Sequence, residues 1–436
     1  MKNFAKKTLV LSTFTFAAGA ANAAAFQLQE VTTSGLGRAY AGEAAIADNA
    51  GVVATNPALM TQFKRPEISL GGIWVNPGVD IEGKMSVPAY GIKNINTGYS
   101  DAIASKLLPN FYWVYPIDQK FTIGGGVNVN YGLATEYDEN YKGGIMGGTT
   151  DLTSINLNLS GAYRLNDHWS FGLGVNAVYA KADLERRVGA LADAINILAY
   201  KKLGVNPKLK PSSYATDLQG KDWGLGWNAG VTYDLDENNR WGLAYHSKVK
   251  IKFDGDLQSD LPEPFGKSGD GSVEMNLPDF WEFSGYHKLT SQWAVHYSYK
   301  FTKWSRLQRI SAFTDDNSTI PVFDKVEHFG DTSRVSIGTT YDVNDKLTLR
   351  AGIAHDEGAA GKKSSISIPD THRMWYSVGA TYKFTPDLSV DVGYTHVRGK
   401  KRSFTEVDEI KGIEIRNEVV SRAQVNLYGL NLNYRF

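Results

Sequence analysis

The 436-residue chain contains no cysteine, which excludes a disulfide framework and any thiolate-held metal. It carries no net charge either, because 46 lysines and arginines cancel 46 aspartates and glutamates. Nucleic acid and acidic polymers are therefore not suggested as partners. After the first residues no apolar run reaches the roughly 20 residues that a spanning helix needs, and the mean hydropathy is −0.30. If this chain enters a membrane, it must cross as strands, the other way to satisfy every backbone group in lipid. Its eight histidines form no recognisable nucleophile or metal motif. No catalytic residue, metal or cofactor is expected, and the chain reads as a non-enzyme.

What is present begins with a targeting pattern. Lys2, Lys6 and Lys7 precede an apolar run from Leu9 to about Ala20, and Ala21-Asn22-Ala23 supplies the small residues of a cleavage site. Residues 1–23 read as an export signal, too short for a membrane anchor. The remaining 413 of 436 residues suffice for two ordinary domains or one large barrel.

The dominant pattern after residue 66 is alternation. In the closing "VNLYGLNLNYRF", Tyr428, Leu430, Leu432, Tyr434 and Phe436 share one strand face, and Gly429, Asn431, Asn433 and Arg435 the other. A half-buried strand of a soluble sandwich would read the same way, so recurrence and length decide. The pattern returns at Ile155–Leu165, Trp293–Thr302, Tyr376–Phe384 and Leu388–Tyr394. These segments run to about ten residues or more, against 5–6 for typical soluble strands. Short polar turns at 116–120, 166–168, 236–239, 290–292, 343–346 and 385–387 alternate with long polar connections near 77–107, 132–150, 185–221, 256–271, 313–325, 357–370 and 399–417. Six short and seven long connections join about fourteen strands, an even number as bacterial outer-membrane barrels have. Tyr115, Tyr163, Trp169, Tyr233, Trp241, Trp293 and Phe384 collect beside the short turns, where an aromatic girdle belongs. The expected fold class is all-β: a transmembrane antiparallel barrel over residues 66–436, with short turns facing the periplasm. By analogy with outer-membrane proteins, the terminal Phe436 suits the barrel-insertion machinery as a partner.

Fourteen strands enclose more space than their own side chains fill. Residues 24–65, rich in alanine and in turn-permitting Gly35, Gly37, Gly42 and Gly51, are the candidate plug. Within "ATNPALM", Asn56 can cap a short helix whose first position is Pro57. A disordered leader is the alternative, but would carry more charge and less Leu, Val and Ile.

The leader "FQLQEVTTSGLGRAYAGEAAIADNAGVVATNPALM", with Asn56, Pro57 and Ala58, resembles the hatch of the FadL family of outer-membrane long-chain fatty-acid transporters. Similar stretches are "NYGLATEY" (130–137), "TTDLTSINLNLSGAYRLN" (149–166), "WSFGLGVNAVYA" (169–180), "WGLGWNAGVTYDL" (223–235) and "SISIPD" (365–370). The resemblance implies a monomer with a hatch-gated path that delivers hydrophobic cargo sideways into the outer-membrane lipid, by downhill diffusion and without nucleotide. It places a ligand carboxylate at Arg186 and Lys325, and brings Phe26 of the hatch to the same pocket. It puts an inward kink and a wall opening at Asn130 and Gly132, where a strand glycine can host a bend. Val188, Leu191, Ile195 and Leu198 follow helical spacing and match an outer capture groove, although such a stripe also packs on its own barrel. Two other cargo or binding classes stay open: an aromatic-hydrocarbon channel of the same family, and a surface adhesin or receptor using the long loops. A lipid hydrolase would need a serine and histidine pairing that the sequence does not display.

Overall fold

The computed structural model describes residues 25–436 apart from 264, 315–320, 362–363 and 411–412. The export signal expected over residues 1–23 lies outside the described residues. Fourteen strands form the wall: β1 (Glu67–Val87), β2 (Lys106–Pro116), β3 (Phe121–Asn128), β4 (Thr150–Arg164), β5 (Trp169–Arg187), β6 (Tyr214–Asp234) and β7 (Asn239–His246) make the first half. The second half is β8 (Phe280–Lys288), β9 (Trp293–Thr302), β10 (Thr332–Asp342), β11 (Leu347–Asp356), β12 (Arg373–Lys383), β13 (Leu388–Gly399) and β14 (Ile413–Arg435). Each strand pairs antiparallel with the next. β14 closes on β1 in a register from Glu67↔Arg435 to Ser86↔Arg416, so the cylinder has no free edge to satisfy in lipid.

Alternation sorts the two faces. Leu173, Val175 and Leu225 point outward at 62%, 61% and 80% exposure, a continuous apolar exterior that only lipid tolerates at this scale. The opposite face carries asparagines joined by their amides: Asn156 donates to Asn128 and Asn176 (both 3.2 Å), and Asn158 to Asn176 (2.9 Å) and Asn228 (3.0 Å).

All six short turns occur where alternation stops, and their chemistry is local. Asp118 accepts from the backbone of Lys120 and Phe121 at 2.7 and 2.8 Å, and Asn166 from His168 and Trp169 at 2.9 and 2.8 Å. These Asx contacts fix the reversal. Rings stack across strands beside them, Trp169 on Tyr233 at 4.8 Å and Tyr233 on Trp241 at 6.3 Å.

The long connections differ from expectation. β1, β6 and β14 run 21, 21 and 23 residues, about twice the 9–11 that span a bilayer. The other end of β6 is a short turn, and register sets Glu67 of β1 opposite Val114 and Tyr434 of β14 opposite Leu388, level with short turns, so the excess rises at the long-connection end. Further strands over Val249–Gln258, Gly269–Leu277, Arg309–Thr314, Phe323–Val326 and Arg402–Ile410 extend this outer sheet.

The leader fills the cylinder. Its helices α1 (Thr33–Leu36) and α2 (Val52–Thr55) precede a 3-10 helix over Pro57–Gln62, which starts at Pro57 as expected of the short helix there. Asn56 caps it, accepting from the Ala58 N–H at 3.0 Å, and its amide donates to the carbonyls of Ala44 (2.7 Å) and Val231 (3.3 Å) of the wall. Other anchors lie around the ring: Tyr112 to the Val31 carbonyl (2.9 Å), Arg164 to that of Thr61 (2.7 Å) and Gly42 N–H to Ser298 (2.8 Å). Arg334 donates to the Ala39 carbonyl (3.1 Å) and Asn49 to Asp391 (3.2 Å). Arg38 binds Glu43 and Asp48, and Arg350 of β11 reaches Asp48 at 3.3 Å. At Gly242 and Gly352 the wall backbone approaches so closely that a Cβ would overlap the carbonyls of Ala44 and Arg38, which explains glycine there.

Candidate functional site

Arg186 ends β5 and Lys325 sits in the outer strand Phe323–Val326, 139 residues later. Both line one cleft of about 760 Å³ at the outer end of the barrel, with Ala215, Leu257, Val322 and Phe323 among its apolar walls. Arg186 is buried. Its guanidinium donates to the Thr149 carbonyl (3.1 Å), Thr150 Oγ1 (3.2 Å), the Glu185 carbonyl (2.7 Å) and Ser367 Oγ (2.8 Å). It stands 6.0 Å from the Phe323 ring centroid. Every one of these acceptors is neutral, and among the described residues no carboxylate comes within ion-pair distance of it.

Lys325 is in the opposite condition. Its ammonium lies 2.7 Å from Glu406 and 2.8 Å from Asp408. Burial alone would lower its pKa, but those two carboxylates raise it beyond the ordinary lysine range. The two cations expected to meet a ligand carboxylate are therefore not alike: Arg186 touches neutral acceptors alone, and Lys325 already holds two carboxylates. Glu327, buried beside them, is pushed up to about 7, chiefly by burial. Lys325 and Arg186 pull it down, while Glu406 and Asp408 push it up. Sequence reading missed these three carboxylates, which come from two distant connections; Ser367 lies in the quoted "SISIPD".

Beside the cleft lies an apolar groove, walled by Leu191, Ile195 and Leu198 with Val87, Phe265 and Ile413. Helix α3 (Ala192–Leu203) supplies it, capped by Gly204 in the left-handed region at φ +70°. Ile145, Leu261 and Phe265 line both cavities, so the groove opens into the cleft. Val188 is a correction. It precedes the helix, is fully buried, and donates its N–H to the Ser213 carbonyl at 2.9 Å, so it supports the groove from behind.

The wall breaks where Asn130 and Gly132 were expected to kink it. β3 ends at Asn128, paired with Asn110 of β2, and pairing resumes only at the Ile103↔Thr135 bridge. Register on the two sides is the same, yet residues 129–134 make no ladder with 104–109, where Pro109 has no N–H to give. The orphaned backbone groups turn to the leader instead: Leu28 N–H donates to the Asn130 carbonyl (3.0 Å) and Gly132 N–H to the Phe26 carbonyl (2.9 Å). Lys106 of β2 reaches past the break to Asp151 of β4 at 2.9 Å.

Phe26 is not among the cleft walls. It packs edge-on against Trp304 (4.8 Å) and Tyr131 (6.3 Å) at the break, almost wholly buried. Asn56, Pro57 and Ala58 lie deep in the plug, away from both cavities.

The comparisons decide the family. The family model described as outer membrane protein transport protein (OMPP1/FadL/TodX) matches residues 14–436. The chain belongs to that family. It is 48% identical to outer membrane protein P1 of Haemophilus influenzae over the whole of both chains. It is 44% identical to the long-chain fatty acid transport protein of Escherichia coli O6:H1, across 95% of this chain and 94% of that one. A crystal structure of a Pseudomonas aeruginosa FadL homologue superposes with a TM-score of 0.85 at 22% identity, covering 95% of this chain and all of the other. The protein is an outer-membrane β-barrel of a transport family.

Proposed function

We propose that this chain takes up long-chain fatty acids across the outer membrane as a transporter and not as an enzyme. Cargo enters the apolar groove at Leu191, Ile195 and Leu198, moves into the cleft with its carboxylate on Arg186, and leaves sideways through the break at 129–134 when the leader, residues 24–65, shifts as a hatch. The observation that carries this reading is a buried guanidinium that touches only neutral acceptors, at the polar end of an apolar cleft. Glu327, Glu406 and Asp408 act on it from beyond ion-pair distance, so its direct contacts leave room for a carboxylate that brings its own hydrocarbon tail. The 44% identity to a fatty acid transport protein supports the same cargo. No nucleotide is required, because downhill diffusion with consumption inside the cell supplies direction.

The neutralised Lys325 favours a second reading, in which neutral hydrocarbons use the same path. Uptake of labelled oleate and labelled toluene by cells carrying only this transporter separates the two. Oleate uptake above that of the empty strain supports the acid, and uptake of toluene alone overturns it.

A further inference from the structure

At the break lies a separate small chamber of about 80 Å³ between the leader and the inner wall. Asn130 and Tyr131 of the break line it, as do Asn128, Lys300 and Arg334. Lys300 of β9 is 8% exposed and Arg334 of β10 is 5% exposed. The Lys300 ammonium donates to Gln29 Oε1 at 2.8 Å and sits 3.9 Å over the Phe280 ring. Arg334 donates to the Ala39 carbonyl and lies 4.9 Å from the Trp375 ring centroid, and its Nε has no hydrogen-bond partner. Among the described residues neither cation has a carboxylate within ion-pair distance. Two acids face the chamber, Glu43, which is bound to Arg38, and Glu282, which accepts from Ser284 at 3.3 Å; Asp356 and Glu30, just outside its lining, also act on Arg334 without touching it.

A wall of this kind does not need buried cations. Asparagines fill the neighbouring inward positions at no charge cost, as β4 to β6 do. Two cations held on rings and neutral oxygens, one with a donor to spare, mark a place that receives an anion. Its position says which. A chain leaving sideways at residues 129–134 puts its tail into lipid first, so its carboxylate trails inside the barrel after losing Arg186. Leu28, Val178, Val249 and Trp227 around the chamber suit the last methylenes of such a chain.

We infer that Lys300, assisted by Arg334, forms a second carboxylate site, where the head group of the cargo rests after it has left the outer cleft and before its release through the wall break. This rests on the fatty-acid reading above. The test is the ratio of oleate to oleyl alcohol uptake in cells, with barrel folding checked by heat-dependent gel mobility. Losing a charged hydrogen bond costs about tenfold or more, so Lys300→Met lowers the ratio by about tenfold and Lys300→Arg restores it. Oleate binding by purified Lys300→Met through Arg186 in the outer cleft stays within twofold of wild type. An unchanged ratio in Lys300→Met, or equal loss of acid and alcohol, overturns the inference. If the wild-type protein itself fails to take up oleate, the underlying cargo reading falls instead.

Discussion

Glu327 should make the proposed binding of acids at the outer cleft depend on pH, with a sign that can be worked out in advance. Around the polar end of the cleft stand two cations, Arg186 and Lys325, and three carboxylates, Glu327, Glu406 and Asp408, besides Lys267, Glu263, Asp324 and Glu409, which also line the cleft. With all five ionised the cluster is net negative and repels an arriving carboxylate. Glu327 is the group able to relieve this near neutral pH, since burial raises it to about 7. A second carboxylate bound nearby raises Glu327 further, because like charges at close range disfavour the ionised form. Below pH 7 the acid form of Glu327 is already present and affinity is flat. Above pH 7 each binding event must take up a proton, so affinity falls by up to about tenfold per pH unit until Glu327 ionises in the complex as well. The ligand stays ionised throughout, its carboxyl titrating near 4–5. Calorimetry with laurate below its critical micelle concentration, from pH 6 to 9, measures the profile, with dodecanol as a control that should not respond. Glu327→Gln should abolish the slope and bind laurate at pH 9 as wild type does at pH 6. A wild-type profile without slope, or a slope that survives in Glu327→Gln, refutes the charge argument.

Other consequences are simpler. Arg186→Ala should weaken laurate binding by about 10- to 100-fold, the range for a charged hydrogen bond, and dodecanol binding far less; equal losses would remove Arg186 as the head-group anchor. Gly242→Val puts side-chain atoms where the Ala44 carbonyl lies and should displace the leader locally, seen as larger single-channel conductance in planar bilayers. Wild-type conductance would mean that the close approach has no sealing role. Lys106→Met removes the ion pair across the break, worth at most about 1 kcal/mol at its partial exposure, and should speed oleate uptake severalfold without changing laurate affinity. Unchanged uptake would show that this pair does not restrain the opening.

The barrel was legible because lipid imposes alternation on the spanning part, and because Asx residues such as Asp118 and Asn166 punctuate the short turns. Asn56 and Pro57 announced the capped turn of the plug by local chemistry alone. The outer sheet was not legible. In Gly269–Leu277 the alternation does persist, with Val273, Met275 and Leu277 buried and Glu274 exposed, but this strand belongs to the outer sheet and not to the spanning wall; in Arg402–Ile410 the run of Glu406, Asp408 and Glu409 interrupts the pattern. The cleft was less readable: only the family resemblance pointed to Arg186, and the carboxylates that pair with Lys325 sit 81 and 83 residues away, with no local pattern to tie them to it. Val188 fitted the helical stripe by spacing. The chain instead turns at Gly189, φ +59°, before α3 begins.

The distribution of contacts along the leader says which part of it moves. Residues 35–62 are tied to the wall by the Arg38–Asp48–Arg350 cluster, Asn49 to Asp391, Asn56 to Val231 and Gln62 to Arg240 at 2.8 Å, and extracting them would orphan many buried polar groups at 1–3 kcal/mol each. Residues 25–31 are held by two backbone bonds at the break, the bond from Tyr112 to the Val31 carbonyl, side-chain bonds at Gln27 and Gln29, and the burial of Phe26 and Leu28. Peeling this stretch away costs about 9 kcal/mol, at about 1 per hydrogen bond and 2 per apolar side chain, less than extracting the whole leader, and it frees the break and the path from cleft to chamber together. A cysteine-free chain allows a direct trial. Gln27 and Tyr131 face each other as an antiparallel bridge between its two backbone bonds, the non-hydrogen-bonded arrangement with Cα atoms about 4.5 Å apart, within disulfide reach. Gln27→Cys with Tyr131→Cys should therefore stop oleate uptake when oxidised and regain it on reduction. Asn49→Cys with Asp391→Cys, which pins the body of the plug, should leave uptake intact in both states. If the second cross-link blocks uptake and the first does not, the hatch moves as one body and the peeling mechanism is wrong.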